Sequence, residues 1–100
     1  MELSGKRVLV IGLGRTGIET VRFLARRGAE VVATDEKPAA ELQEALSALA
    51  AVRGRFAFIA AEAAAGEGFD LVVPSPGVAP FNRILADAVR RGIPVMSELE

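Results

Sequence analysis

A glycine-rich turn between an apolar run and an amphipathic stretch constrains this chain more than any other feature. The four apolar residues at 8–11 are typical of a strand that is buried on both faces. Gly12, Gly14 and Gly17 follow at the spacing G-x-G-x-x-G, and the apolar residues after them recur at helical intervals. A strand, a glycine turn and a helix in this order predict a β-α-β unit that binds a nucleotide.

The turn is suited to a phosphate. Gly12 allows the chain to leave the strand sharply, Gly14 leaves the backbone open to a ligand, and Gly17 lets the helix pack closely on the sheet. The N–H groups of the first helical turn, with a dipole equivalent to about half a charge, favour an anion there. Thr16 can donate its hydroxyl to the phosphate. Arg15 has two open interpretations, a phosphate-binding cation or an exposed arginine of the first turn.

The rest of the chain alternates strands and helices. Apolar runs predict strands at residues 8–11, 30–34, 56–59, 70–73 and 93–97, the last of them an edge strand. Helical periodicity predicts helices at about 15–27 and 38–52, and a third from Pro80 to Gly92 with an apolar face of Phe81, Ile84, Leu85, Ala88 and Val89. Residues 60–68 fit a helical turn or a loop equally well.

Three β-α units in succession require a parallel sheet with helices on both faces. We therefore predict one α/β domain over residues 1–100, a Rossmann-like doubly wound parallel sheet of about five strands in the order 3-2-1-4-5. In that order the chain reverses direction between strands one and four. Ligands of such sheets bind in the crevice at this point, outside the carboxyl ends of the strands.

Two further segments end at the same crevice. Asp35 follows strand two, where an acidic residue usually binds a ribose hydroxyl, although it could instead cap its own turn. Ser75 follows strand four; without a histidine it is not an activated nucleophile, so we expect the site to bind a ligand rather than to catalyse. The predicted site contains Gly14, Arg15, Thr16, Gly17, Asp35, Glu36, Lys37, Ser75, Pro76 and Gly77.

The composition excludes several classes of function. Cysteine and histidine are absent, which removes disulfides, thiolate nucleophiles, the usual zinc sites and imidazole bases. A formal net charge of −1 argues against a general nucleic-acid binder. The apolar runs are too short to span a bilayer, and Glu2 and Gly5 interrupt any signal peptide, so we expect no membrane partner and a cytoplasmic location.

Several motifs taken together resemble the N-terminal domain of the Mur ligases. They are the glycine turn after Gly5-Lys6-Arg7, Thr34-Asp35 after strand two, S-P-G-V at 75–78 and G-I-P-V-M-S-E-L-E at 92–100. Dinucleotide-binding domains do not usually carry the last two motifs. The resemblance covers essentially all of the 100 residues.

The resemblance implies a substrate and separate roles for the domains of the enzyme. The family branch that it points to adds D-glutamate to UDP-N-acetylmuramoyl-L-alanine in peptidoglycan synthesis, using ATP and Mg²⁺. By this resemblance, residues 14–17 face the diphosphate, residues 35–37 face the uridine, and residues 75–77 lie beside the nucleotide. A central ATP-binding domain and a C-terminal domain would complete the enzyme. The only Gly-Lys pair here, Gly5-Lys6, lacks the pattern of a phosphate loop, so we expect no catalytic residue, metal or cofactor in this fragment.

Two other interpretations remain open. The chain could be the NAD-binding domain of an oxidoreductase, with Asp35 on the adenine ribose. It could also be a regulatory or interaction domain of the same fold without a nucleotide. A titration with UDP and with NAD separates the three.

Overall fold

The computed structural model of the chain describes residues 2–52, 55–79 and 81–97. Its strands are all parallel and form one sheet of four in the order β3-β2-β1-β4. They are β1 (Arg7–Ile11), β2 (Glu30–Thr34), β3 (Arg55–Phe58) and β4 (Leu71–Pro74). The predicted α/β class and the order 3-2-1-4 are confirmed.

The helices cover both faces of this sheet. They are α1 (Arg15–Arg26), α2 (Gln43–Ala48), α3 (Ala61–Ala64) and α4 (Arg83–Arg90), with a 3₁₀ turn at Ala39–Glu41. Alternate residues of β1 point to opposite sides, as the pleat requires. Val8 and Val10 join one buried cluster with Leu24 of α1, whereas Leu9 joins a second cluster with Ile84 of α4. Among the described residues, no helix combines the length and the apolar character needed to cross a membrane.

The predicted fifth strand is reduced to a single bridge. Val95 pairs with Val72 in parallel, where Val72 N donates to the Pro94 carbonyl at 2.9 Å and Met96 N donates to the Val72 carbonyl at 3.0 Å. The next residue of β4 that faces this edge is Pro74, which has no N–H to donate. Among the described residues, which end at 97, the ladder therefore contains one bridge. Residues 98–100 of the predicted motif lie outside the described residues.

Two predicted helices have different boundaries in the structure. The helix expected at 38–52 is divided, because Leu42 between the 3₁₀ turn and α2 has φ −114° and ψ 20°. The helix expected from Pro80 begins at Arg83, because the Asn82 side chain accepts hydrogen bonds from Ile84 N and Leu85 N at 2.9 and 3.2 Å. Residues 53, 54 and 80 lie outside the described ranges. Residues 60–68 contain the single turn of α3.

Candidate functional site

A cleft of about 650 Å³ opens at the carboxyl ends of β1, β2 and β4. The glycine turn and the start of α1 form its centre. The residues after β2 form one side, and the loop after β4 with the start of α4 forms the other. Every predicted site residue except Lys37 lines this cleft: Gly14, Arg15, Thr16, Gly17, Asp35, Glu36, Ser75, Pro76 and Gly77.

Lys37 lies in a neighbouring depression of about 460 Å³ between α1 and α2. This depression shares Gly14 and Arg15 with the cleft and is otherwise lined by residues such as Ile18 and Leu42. The chain after β2 therefore places Glu36 on one side of the α1 start and Lys37 on the other.

The backbone of the glycine turn is closely packed at two glycines and open at the third. Gly12 has φ +95°, a conformation that side chains rarely adopt, and its N–H donates to the Thr34 carbonyl at 2.8 Å. A Cβ on Gly17 would lie 1.9 Å from the Gly12 carbonyl oxygen. A Cβ on Gly14 would meet nothing within 4 Å. The fold thus requires Gly12 and Gly17, whereas Gly14 matters to whatever approaches through the cleft.

Asp35 ties the loop after β2 to the glycine turn after β1. Its Oδ2 accepts a hydrogen bond from Leu13 N at 2.8 Å, and its Oδ1 accepts one from Lys37 N at 2.9 Å. The second bond is the turn cap that the sequence left open as an alternative. The first bond joins the carboxylate to the glycine turn, a contact that no pattern in the sequence predicts. Each carboxylate oxygen keeps further acceptor capacity, so a ribose hydroxyl can still donate to it.

Ser75 fastens the β4 loop to the same turn. Its backbone N–H donates to the Ile11 carbonyl at 2.9 Å, and its Oγ donates to the Gly12 carbonyl at 2.9 Å. The hydroxyl proton is therefore used within the protein. Toward a ligand, Ser75 Oγ is available as an acceptor, and the backbone of Pro76 and Gly77 forms the wall beside it.

The centre of the cleft is suited to an anion. Gly14 caps α1 without a side-chain hydrogen bond, no acidic residue lies in the first turn, and the first backbone bond across the turn runs from Ile18 N to the Gly14 carbonyl. The preceding N–H groups face the cleft end of the helix. Arg15 and Arg83 both line the cleft, and within residues 2–52, 55–79 and 81–97 neither guanidinium forms an ion pair. The described part of the chain holds no group of three or more metal-ligating side chains.

Sequence reasoning missed the α4 side of the cleft. Phe81, Asn82 and Arg83 line it together with Val78 and Ala79. The apolar spacing places Phe81 on the buried face of a helix, but the residue is 86% exposed because it precedes the cap at Asn82. Asn82 was the signal in the sequence that could have located the start of α4, since asparagine is a preferred residue at helix starts.

Comparison of the sequence with family models gives one match over most of the chain. Residues 6–97 match the Mur ligase MurD-like N-terminal domain. The chain is 48% identical over 101 residues to the UDP-N-acetylmuramoylalanine--D-glutamate ligase of Syntrophus aciditrophicus (strain SB), a match that covers 100% of this chain and 22% of that protein. It is 46% identical over 100 residues to the ligase of the same name from Anaeromyxobacter dehalogenans (strain 2CP-C), covering 99% and 21%. The chain thus spans about a fifth of the length of these curated relatives.

Comparison with solved structures identifies the same kind of sheet. The chain aligns with the dipicolinate synthase of Bacillus halodurans at a TM-score of 0.64, covering 100% of this chain and 40% of that chain. The two sequences are 20% identical, so this likeness concerns the fold alone.

Proposed function

The chain belongs to the MurD-like N-terminal domain family of Mur ligases, and on that premise we propose that it binds the UDP moiety of UDP-N-acetylmuramoyl-L-alanine. One observation supports the proposal above all. The glycine turn, Asp35 and the Ser75–Gly77 segment, far apart in sequence, line one cleft at the carboxyl ends of three parallel strands. This is the position at which doubly wound sheets bind nucleotides.

The diphosphate occupies the centre of the cleft in this proposal. The N–H groups of the first turn of α1 point toward it, and Gly14 presents no side chain that would keep it away. Thr16 donates its hydroxyl, and Arg15 contributes a cation that no carboxylate of the described residues neutralises. Charge-assisted hydrogen bonds of this kind are about twice as strong as neutral ones.

The uridine lies on the β2 side. Asp35 is held in place by two backbone N–H groups and still accepts from ribose hydroxyls. Glu36 lines the same side of the cleft, and Lys37 lies across the start of α1. The nucleoside therefore rests against the turn at residues 35–37, and Ser75, Pro76 and Gly77 form the opposite wall.

In this proposal, the catalytic steps take place in the other domains of the ligase. The chain serves an ATP- and Mg²⁺-dependent enzyme of the cytoplasm that adds D-glutamate to the bound precursor, with the central and C-terminal domains as its partners. The residues of this chain do not fit ATP themselves. The single Gly-Lys pair, Gly5-Lys6, lies before β1 at the amino end of the sheet, opposite the cleft. We therefore assign binding of one substrate to this domain and no catalytic step.

An amide-resolved NMR titration tests the proposal. Addition of UDP should shift the amide signals of Gly14, Asp35 and Gly77, while NAD at the same concentration should leave them unchanged. We expect a dissociation constant for UDP well above the micromolar range, because the rest of the precursor would contact the other domains of the ligase. Shifts with NAD and none with UDP would favour the oxidoreductase interpretation. Amide signals that shift with neither UDP nor NAD would favour a regulatory or interaction domain.

A pair of glycine variants makes the titration sharper. Gly14→Ala places a methyl group in the cleft and should weaken UDP binding about tenfold, an effect of about 1.4 kcal/mol. Gly68→Ala is the matched control, because its Cβ also meets nothing within 4 Å but Gly68 does not line the cleft. Equal affinity of the two variants for UDP would contradict the assigned position of the diphosphate.

A further inference from the structure

Phe81 is a large apolar side chain displayed at the mouth of the cleft. It is 86% exposed, although burying a phenylalanine usually stabilises a protein by about 1.5–3 kcal/mol. Val89, on α4, is also exposed, at 63%, but it does not line the cleft. Single exposed apolar residues are common, so the significance of Phe81 comes from its place on the cleft wall.

The turn that carries Phe81 is fixed on both sides. Asn82 N donates to the Ala79 carbonyl at 3.0 Å, and the Asn82 side chain accepts from the first N–H groups of α4. Val78 N in turn donates to the Ser75 carbonyl at 3.0 Å. These hydrogen bonds hold the described residues on either side of Phe81, Val78 and Asn82, before a ligand binds, and such preorganisation reduces the entropic cost of binding.

The two sides of the cleft differ in chemistry. The β2 side presents the carboxylates of Asp35 and Glu36, which accept hydrogen bonds. The β4–α4 side presents Val78, Ala79 and the ring of Phe81. A diphosphate at the centre has a nucleoside on one side and the remainder of the ligand on the other. The acceptor-rich side suits the hydroxyls of a nucleoside, which leaves the apolar side for the other end.

We propose that Phe81 packs against the N-acetylmuramoyl sugar of the UDP-linked ligand and makes the β4–α4 wall the sugar-binding side of the cleft. This inference rests on the proposed function and adds to it the direction in which the ligand lies. A sugar ring presents C–H groups on its faces, and an aromatic ring offers a large flat apolar surface to them. Arg83, two residues farther on, lines the cleft beside this surface and is placed to contact the phosphate that carries the sugar.

Two ligands and three variants test the inference by NMR titration. UDP lacks the sugar, and UDP-N-acetylmuramoyl-L-alanine carries it. Phe81→Ala should weaken binding of the sugar-bearing ligand about 3- to 10-fold and change UDP binding less than about twofold. Phe81→Tyr should restore the affinity, because it keeps the ring. Val89→Ala, the matched control at an exposed apolar residue outside the cleft, should change neither affinity.

Contacts between ring and sugar protons give a second measurement. Nuclear Overhauser effects between the Phe81 ring and the muramoyl protons should appear in the wild type and vanish in Phe81→Ala. An equal loss of affinity for both ligands would place Phe81 on the nucleotide and overturn the inference. Unchanged affinity for both would overturn it too, since Phe81 would then serve another surface. In either case UDP binding by the wild type keeps the proposed function intact, whereas a wild type that binds neither ligand overturns both.

Discussion

The two ends of the parallel sheet use arginine in opposite ways. At the amino end, Arg7 donates to Glu67 at 2.7 Å and to Glu30 at 3.3 Å, and its guanidinium also donates to the Gly68 carbonyl at 2.7 Å. It lies 4.6 Å from the ring centroid of Phe69. The hydrogen bond to Glu67, with that to Glu30, raises the pKa of Arg7 above its ordinary value.

At the carboxyl end, the two arginines of the cleft have no such partners among the described residues. Arg15 and Arg83 line the cleft, and no ion pair within the described residues involves either of them. Asp35 and Glu36 line the same cleft, but neither is paired with these arginines in the structure. A charge that the protein satisfies internally serves the fold, whereas a charge left on a concave surface is available to a ligand. We therefore propose that Arg7 serves the stability of the fold and that Arg15 serves ligand binding.

The largest expected effect concerns the glycine turn. This turn lies at the carboxyl end of the sheet, but its backbone is as closely packed as the protein core. Gly17→Ala forces a methyl group to within 1.9 Å of the Gly12 carbonyl, and backbone atoms cannot give way cheaply. We expect a loss of at least about 3 kcal/mol in the free energy of unfolding, measured by urea denaturation. The Gly14→Ala variant should lose about 1 kcal/mol or less, because its Cβ meets no atom within 4 Å and only the N-cap of α1 is changed. Similar stability of both variants would mean that α1 does not pack as closely on the turn as described.

Arg7→Met tests the amino end with the next largest effect. The methionine keeps much of the apolar stem but loses the charged hydrogen bonds, so we expect a loss of about 2 kcal/mol in unfolding free energy and unchanged UDP affinity. Arg55→Met is the control at the same end. Arg55 is 82% exposed and 3.6 Å from Glu30, so its loss should cost less than about 0.5 kcal/mol. Weaker UDP binding by Arg7→Met would break the division between the two ends.

The sequence was sufficient for the parts of the fold that are encoded locally. The valine-rich runs of β1, β2 and β4 can hardly be anything but buried strands, and the glycine spacing marks the turn and the helix after it. The strand order then follows from the connection rules for β-α-β units, which also bring the three loops to one cleft. This is why every expected site residue but Lys37 lines that cleft.

The parts that were missed depend on registers and directions in three dimensions. Pro74 limits the fifth strand only because it faces the outer edge, which the sequence alone does not reveal. Phe81 is exposed because a cap at Asn82 shortens α4, although the apolar spacing suited a longer helix. The bond from Leu13 N to Asp35 joins loops 22 positions apart. A contact between a side chain and a distant loop leaves no periodic pattern in the sequence from which it could be predicted.

Arg15→Met tests the carboxyl end with a smaller effect. Since no ion pair of the described residues is lost, the unfolding transition should stay within about 0.5 kcal/mol of the wild type. UDP affinity should fall about fivefold to tenfold, and the difference from the wild type should shrink at high salt because exposed charges are screened. Arg26→Met, at the other end of α1, is the control and should change neither property. Loss of stability without loss of affinity would reverse the assignment of Arg15.

The smallest expected effect is a pH dependence of stability due to Asp87. Like Arg7, Asp87 is a charged residue paired within the protein and remote from the cleft. Asp87 accepts from Arg90 at 2.7 Å and from Arg91 at 3.1 Å, and Gly66 N lies 3.4 Å from its Oδ2. The hydrogen bond from Arg91, more than that from Gly66, lowers the pKa of Asp87 below the ordinary 3.8.

Because the pKa of Asp87 is lower in the folded state than in the unfolded state, the stabilisation is fully present above about pH 4 and is lost as the pH falls through the folded pKa. The difference in unfolding free energy between the wild type and Asp87→Asn should therefore be constant from pH 7 to about pH 5 and diminish below about pH 4. UDP binding by Asp87→Asn at neutral pH should equal that of the wild type, and a weakened affinity would show that charges outside the cleft also act on the ligand.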